Sequence, residues 1–337
     1  MLNELFDILF KFLKFDMLTL LLLFVILLFI PFVLPIYELV RKKEKNLYID
    51  LLYSRDPAFF GSSYLKLLSC TLSNHLKGIH SLEDLKKIEN DLLIEMNLCF
   101  DKGKEKFLIT KNLGSCNLCT NKIDFVTINV GSLELRKEYF FSKELVVLGD
   151  LYIHDNCFFN NLIVIGNMYV NSKIKILNFL HVDGEIHINS ETNVQGTIFA
   201  SKKILILSKL HFKKIFSPKI ISKYDSDIEK KYETLDEDKK IVISGNIKLE
   251  GNLIIDSKEK HVIIDGNVVS DKDIYLRGNI WVLNNLFCQG SINLSDGVLV
   301  GSLGKIKSVV AKKKIIISGN VKVYGYLHTE GSSIIDP

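Results

Sequence analysis

Hydrophobic and polar positions along this 337-residue chain fall into three regimes. From Met17 to Tyr37 the sequence MLTLLLLFVILLFIPFVLPIY carries no charged residue, and about 20 such residues at helical rise cover the roughly 30 Å of a bilayer core. The pattern predicts a transmembrane helix over 17–37, with Pro31 and Pro35 bending its C-terminal end. No small-x-small motif follows, which favours an anchor over a cleaved signal peptide. Ahead of it, Leu2, Leu5, Phe6, Leu9 and Leu13 recur at helical spacing. Residues 1–16 therefore read as an amphipathic segment that either lies along the membrane surface or extends the spanning helix.

The second regime, 46–104, has a helical period and mixed polarity, and reads as a small α-helical connector. In SLEDLKKIENDLLIEM, Ser81 caps the first turn, Asp84 follows three residues later, and Leu82, Leu85, Ile88, Leu92 and Met96 form an apolar stripe, predicting a helix from about Leu82 to Leu98. Leu65, Leu68, Leu72 and Leu76 make a matching stripe on an earlier segment that packs against it. The stretch YSRDPAFFGSS, with Asp56-Pro57 and Gly61, reads as an irregular break. It leaves Phe59 and Phe60 either on a membrane-facing loop or on a lid over the neighbouring helices.

From Lys106 the period changes to two, and a unit Gly-x-apolar-x-apolar recurs. It begins at Gly149, Gly166, Gly184, Gly196, Gly245, Gly278, Gly290 and Gly319, and Gly266 keeps the same rhythm. Gly131 to Gly149 and Gly166 to Gly184 are 18 residues apart, Gly149 to Gly166 is 17, Gly184 to Gly196 and Gly266 to Gly278 to Gly290 are steps of 12, and Gly245 to Gly251 is 6. Steps of six and their multiples predict a β-solenoid with three short faces per coil. Alternate Ile, Val and Leu side chains fill the interior, while the glycines serve corners that need a positive φ or a tight bend. The charged run SKYDSDIEKKYETLDEDKK breaks the rhythm and loops out at 222–240. It splits a β domain over 106–335 into halves near 106–221 and 241–335.

Composition and charge remove several alternatives. A net charge of +4, dispersed along the chain, lacks the basic stripe with interleaved aromatics of a nucleic-acid binder. Arg41, Lys42, Lys43 and Lys45 follow the hydrophobic segment, against Lys11 and Lys14 before it. By the positive-inside rule they act as topology determinants that put the bulk of the chain in the cytoplasm of a single-pass protein at a bacterial inner membrane. The 6 cysteines show no framework spacing and read as reduced thiols. Cys116 and Cys119 form a CxxC, but a structural zinc site needs four ligands and no second pair stands at suitable spacing, so they are weak metal candidates.

His154, His181, His187 and His328 lie in the repeat, where a hexapeptide-type acyltransferase would use one as a base. The repeat phase places them on the polar exterior as surface residues. Asp265, Asp271 and Asp273 lie near Arg277, as a calcium-dependent lyase would need, but acidic residues are commonplace at solenoid corners. No P-loop, dinucleotide fingerprint or nucleophile elbow is present. No catalytic residue and no cofactor is therefore assigned.

The Gly-x-apolar-x-apolar units in coils of about 18 residues, most cleanly over 241–335, resemble the bactofilins, polymer-forming bacterial cytoskeletal proteins. The resemblance implies a right-handed parallel β-helix of triangular section that joins end to end into nucleotide-free, membrane-associated filaments and scaffolds cell-shape or wall-remodelling proteins. The spanning helix, the connector and the charged insertion depart from that pattern. The expected protein is mainly β, a right-handed parallel β-helix behind a transmembrane helix and a helical connector. Its function is that of a non-enzymatic scaffold whose partners are itself, through the β-helix ends, the membrane, and cell-wall or cell-shape proteins. The alternative is an extracytoplasmic carbohydrate-binding or carbohydrate-active β-solenoid. The last residues, HTEGSSIIDP, contain no capping helix, so the C-terminal coil is expected to be the uncovered, stacking end.

Overall fold

The computed structural model of the chain describes residues 58–75, 81, 84–85, 98–99, 106–110, 113, 121–224 and 237–337, together with Thr19. The amphipathic segment 1–16, the spanning segment 17–37 apart from Thr19, and the cluster Arg41, Lys42, Lys43 and Lys45 lie outside the described residues. So do Cys116, Cys119, most of 76–105 and residues 225–236 of the charged insertion. Among the described residues no helix is long and apolar enough to cross a membrane.

Within the unit Asp56–Pro337 the chain winds into a β-solenoid of about 12 turns. Strands repeat once per coil on each of three faces and pair in parallel with their equivalents in the coils before and after. Leu151–Ile153 pairs with Met168–Val170, which pairs with Glu185–Ile188, which pairs with Lys203–Ile206. Because successive side chains of a strand point to opposite sides, every second residue enters the interior. Ile153, Val170, Ile188 and Ile206 form one inward column, and Leu151, Met168, Ile186 and Ile204 another, all inaccessible to water. Fully burying each such side chain contributes about 1.5–3 kcal/mol.

Corner chemistry explains the asparagine or aspartate that often follows the glycine. Asp150 Oδ1 accepts the backbone N–H of Asn167 at 2.6 Å, and Asn167 Oδ1 accepts that of Glu185 at 3.0 Å. The same device links Asn246 to Asn267 (2.8 Å), Asn267 to Asn285 (3.2 Å) and Asn285 to Ser308 (2.8 Å). Each side chain satisfies a turn amide of the next coil. Most corner glycines serve stacking rather than φ. A Cβ at Gly149, Gly166, Gly184 or Gly266 would overlap the backbone of the previous coil, whereas Gly319 does adopt φ +69°.

Spacing is less regular than the 18-residue rhythm in the second half. The step from Leu253 to Ile274 is 21 residues and that from Leu286 to Val309 is 23, against 18 from Ile274 to Ile292. The surplus leaves as surface loops, one of which exposes Leu303 and Ile306.

A helix α1 (Phe59–His75) lies along one outer wall of the first half. Leu68 and Leu72, with Leu85, bury the outward-facing Phe107, Ile109, Val126, Ile128, Val146 and Ile163. Phe60 stacks on Phe179 with ring centroids 6.0 Å apart. The expected break over YSRDPAFFGSS is corrected on this point, because Phe59 to Ser63 are helical and the Ser62 N–H bonds to the Ala58 carbonyl at 3.0 Å. Gly61 is helical too, and it is needed for contact, since a Cβ there would overlap the imidazole of His181. The Ser81–Asp84 cap is present, with the Ser81 N–H donating to Asp84 Oδ2 at 2.9 Å. Leu98, expected to end the following helix, lies instead in a short strand, Leu98–Cys99, antiparallel to Lys106–Phe107.

Candidate assembly interface

The two halves of the solenoid meet through their last coils. Leu210–Ser222, closing the first half, runs antiparallel to Val321–Asp336, closing the second, on all three faces: Leu210 opposite Ile335, Ile215 opposite Leu327, and Ile221 opposite Lys322. Every other coil-to-coil ladder among the described residues is parallel, apart from the Leu98–Cys99 hairpin. The apolar interior continues across this seam without interruption, from Leu108 to Ile335. Ser222 Oγ adds a hydrogen bond to the Gly319 carbonyl at 2.7 Å. The expectation of an uncovered C-terminal end is thereby overturned. That end has the unpaired edges and apolar stacking surface anticipated for it, and the chain satisfies them internally.

The opposite end of the second half is bare. Lys240–Ser244, Ile247–Leu249 and the start of Leu253–Asp265 have ladder partners on one edge only among the described residues. Ile241 and Leu249 occupy inward positions, in register with Val262 and Ser270, which are 6% and 1% exposed. With no coil beyond them among the described residues, Ile241 and Leu249 are 42% and 37% exposed, and on the outer sides Val242 and Ile254 reach 58% and 70%. The first described coil of the first half differs, because Phe107, Leu113, Ile123 and Leu133 are all buried.

Among the described residues the histidines do not form a catalytic constellation. His154, His187 and His328 are on the outer side as expected, but His181, expected on the surface, is 3% exposed because α1 covers it. Its Nε2 meets Asp183 Oδ1 at 2.9 Å, and Phe199 stacks on its other side. Asp273 holds a corner, accepting the N–H of Ser291 at 2.6 Å. Among the described residues no three His, Cys, Asp or Glu side chains are placed to hold a metal ion. Burial pushes the Cys157 thiol up to about 12 and the Cys288 thiol up to about 11, so both stay protonated.

A groove of about 610 Å³ is lined by Phe140, Phe158 and Lys175, together with Glu138, Asn156 and Glu191. Phe140 and Phe158 are stacked face to face with ring centroids 4.4 Å apart. That arrangement is a stabilising outer ladder of about 0.5–1.5 kcal/mol.

Sequence reasoning missed the bare coil because Ile241, Val242 and Ile254 read as ordinary strand residues. The only available signal was position, the first coil after a charged interruption. Compared with protein-family models, curated proteins and solved structures, the chain matches none.

Proposed function

We propose that this protein is a membrane-anchored, non-enzymatic scaffold, similar to the bactofilins, that associates with itself through solenoid ends and positions partner proteins at the cytoplasmic face of a bacterial inner membrane. The observation that supports it best is the bare first coil of the second half, where apolar residues and unpaired strand edges meet water at one end of an otherwise closed core. Unpaired edges of this kind are templates for pairing with another chain. The right hand of the helix and the association with cell-shape or wall-remodelling proteins follow from the resemblance. The anchor over 17–37 and its orientation follow from hydropathy and the cluster Arg41, Lys42, Lys43 and Lys45.

The test uses two differently tagged copies of the full chain in one bacterial cell, with a topology reporter fused after Pro337. Co-purification of the tags from solubilised membranes, with the reporter active in the cytoplasm, is the expected result. A reporter active only outside the cytoplasm, or tags that never co-purify, would replace this reading with that of an extracytoplasmic binding protein.

A further inference from the structure

We infer that the bare coil 240–256 is a homodimer interface: it pairs antiparallel with the same coil of a second copy and closes a two-copy rod instead of propagating a filament. This rests on the scaffold reading and names its partner and its stoichiometry.

Four observations lead to a second copy. The chain already contains one junction of this kind, since Leu210–Ser222 and Val321–Asp336 join two solenoid ends antiparallel with a continuous core. An end of this architecture is therefore complementary to another end turned by a two-fold rotation. Gly251 is the second. Corner glycines elsewhere lie against the preceding coil, and Gly245 is required by its φ of +99°, but Gly251 has neither a positive φ nor any atom within 4 Å of the position its Cβ would take. A glycine without a use in the isolated chain is suited to a surface that another backbone approaches closely.

Charge is the third observation. Lys248 and Glu250 flank Leu249 on the bare edge and are exposed, with no ion-pair partner among the described residues. In an antiparallel pair centred on Leu249, Lys248 of each copy stands opposite Glu250 of the other, at the about 4.5–5.5 Å Cβ separation of cross-strand neighbours. A register centred on Lys248 would oppose two lysines and is disfavoured. Leu249 also lies on the face that carries the centre of the internal junction, through Lys248, Val269, Phe287, Val310, His328 and Lys214 in successive register.

The fourth observation sets the stoichiometry. Of the four solenoid ends, two are consumed by the internal junction, and the first described coil of the first half keeps its apolar residues buried. One adhesive end among the described residues gives an isologous contact that closes at two copies.

The experiment is sedimentation velocity and mass photometry of the full chain in detergent, reading copy number against concentration. The expected species is two copies. Leu249→Lys, which puts a charge on the two-fold axis, shifts it to one copy, as does Gly251→Val. Lys248→Glu and Glu250→Lys each weaken the dimer roughly tenfold by opposing like charges twice, and the double swap restores it. Leu207→Lys, at an exposed apolar wall position, leaves it unchanged. A dimer indifferent to Leu249→Lys and Gly251→Val, a single copy at all concentrations, or filaments of many copies would each overturn the inference. If tagged copies carrying Leu249→Lys still co-purify from cells, the scaffold reading stands and this interface does not.

Discussion

Ile215 stands directly opposite Leu327 across an antiparallel ladder, at the point where two parallel solenoids of opposite chain direction meet. Both side chains are inaccessible to water, as are the inward columns within either half. Joining two C-terminal ends in one chain removes one sticky edge from each half and leaves the other ends to define what the molecule can contact. The seam is thus a structural element in its own right.

Truncating either residue should cost the whole molecule. Ile215→Ala and Leu327→Ala are each expected to destabilise by about 2–5 kcal/mol, and the double variant by less than the sum because the two share a cavity. Chemical denaturation of both halves, followed by separate probes, checks this. Loss of cooperativity without loss of stability in either half would show that the seam is a weak contact.

Two glycines with the same sequence signature should respond in opposite ways. A Cβ at Gly196 would overlap the backbone of Asn178, so Gly196→Ala forces coils apart at a cost of about 1–3 kcal/mol or more. Gly251→Ala meets nothing and should be neutral or stabilise the isolated chain by about 0.4–1 kcal/mol through the unfolded state. Thermal melts of the two variants at a concentration too low for association separate the cases. Equal destabilisation would mean that the first coil of the second half is packed from outside.

Gly61 sits against the imidazole of His181, where a Cβ would overlap the ring. Gly61→Val should lift the start of the helix, separate Phe60 from Phe179 and expose His181, while leaving the solenoid folded. Hydrogen exchange is expected to rise over Phe59–His75 and over the Ile174–Val182 strand, with little change beyond Lys240. Unchanged protection of α1 would show that its seat depends on Leu68 and Leu72 alone.

Much of this fold is legible in the glycine steps of six and the period-two alternation, because each coil is built from local corners and inward columns. The two-half division also follows, from a charged run that cannot enter a dry interior. The seam was not legible, since Leu210–Ser222 and Val321–Asp336 look like any other coil and their antiparallel pairing spans about a hundred residues. The wall under α1 could have been read from LVVL at 145–148 and LIVI at 162–165, where apolar residues on both faces of a strand signal burial on both. His181 was misplaced for the same reason, as the repeat phase gives its side of the strand but not what covers that side.

The seam should loosen in mild acid through His328, which lies opposite Lys214. Burial, reinforced by Lys214 and opposed by Glu330, holds its imidazole below the usual histidine range. The unfolded chain begins to take up that proton at about pH 6.5 while the folded one does not. Stability from this group is therefore complete above about pH 6.5 and is lost as pH falls toward the lower folded value. His328→Gln is expected to flatten that part of the pH profile of the melting temperature. Carboxylates with lowered values, such as Glu134 beside Arg136, act only in stronger acid, so an unchanged profile in the variant would assign the effect elsewhere.

Thiol labelling separates surface from interior without mutation. Cys70 is exposed on α1, whereas Cys157 and Cys288 are buried. With burial as the main cause, aided by Asp155 and Glu138, the Cys157 thiol is pushed up to about 12, and the Cys288 thiol, next to Asp273, to about 11. At pH 8 their thiolate fractions are on the order of 10⁻⁴ and 10⁻³, set against some tenths for an ordinary cysteine, and the thiolate is the form that reacts. Peptide-resolved mass spectrometry after alkylation should find Cys70 modified within minutes and the other two only on unfolding, with rates that follow global opening. Rapid modification of Cys157 in the native protein would mean that the first half opens locally around Tyr139 and Phe159, and that its core is less continuous than the inward columns indicate.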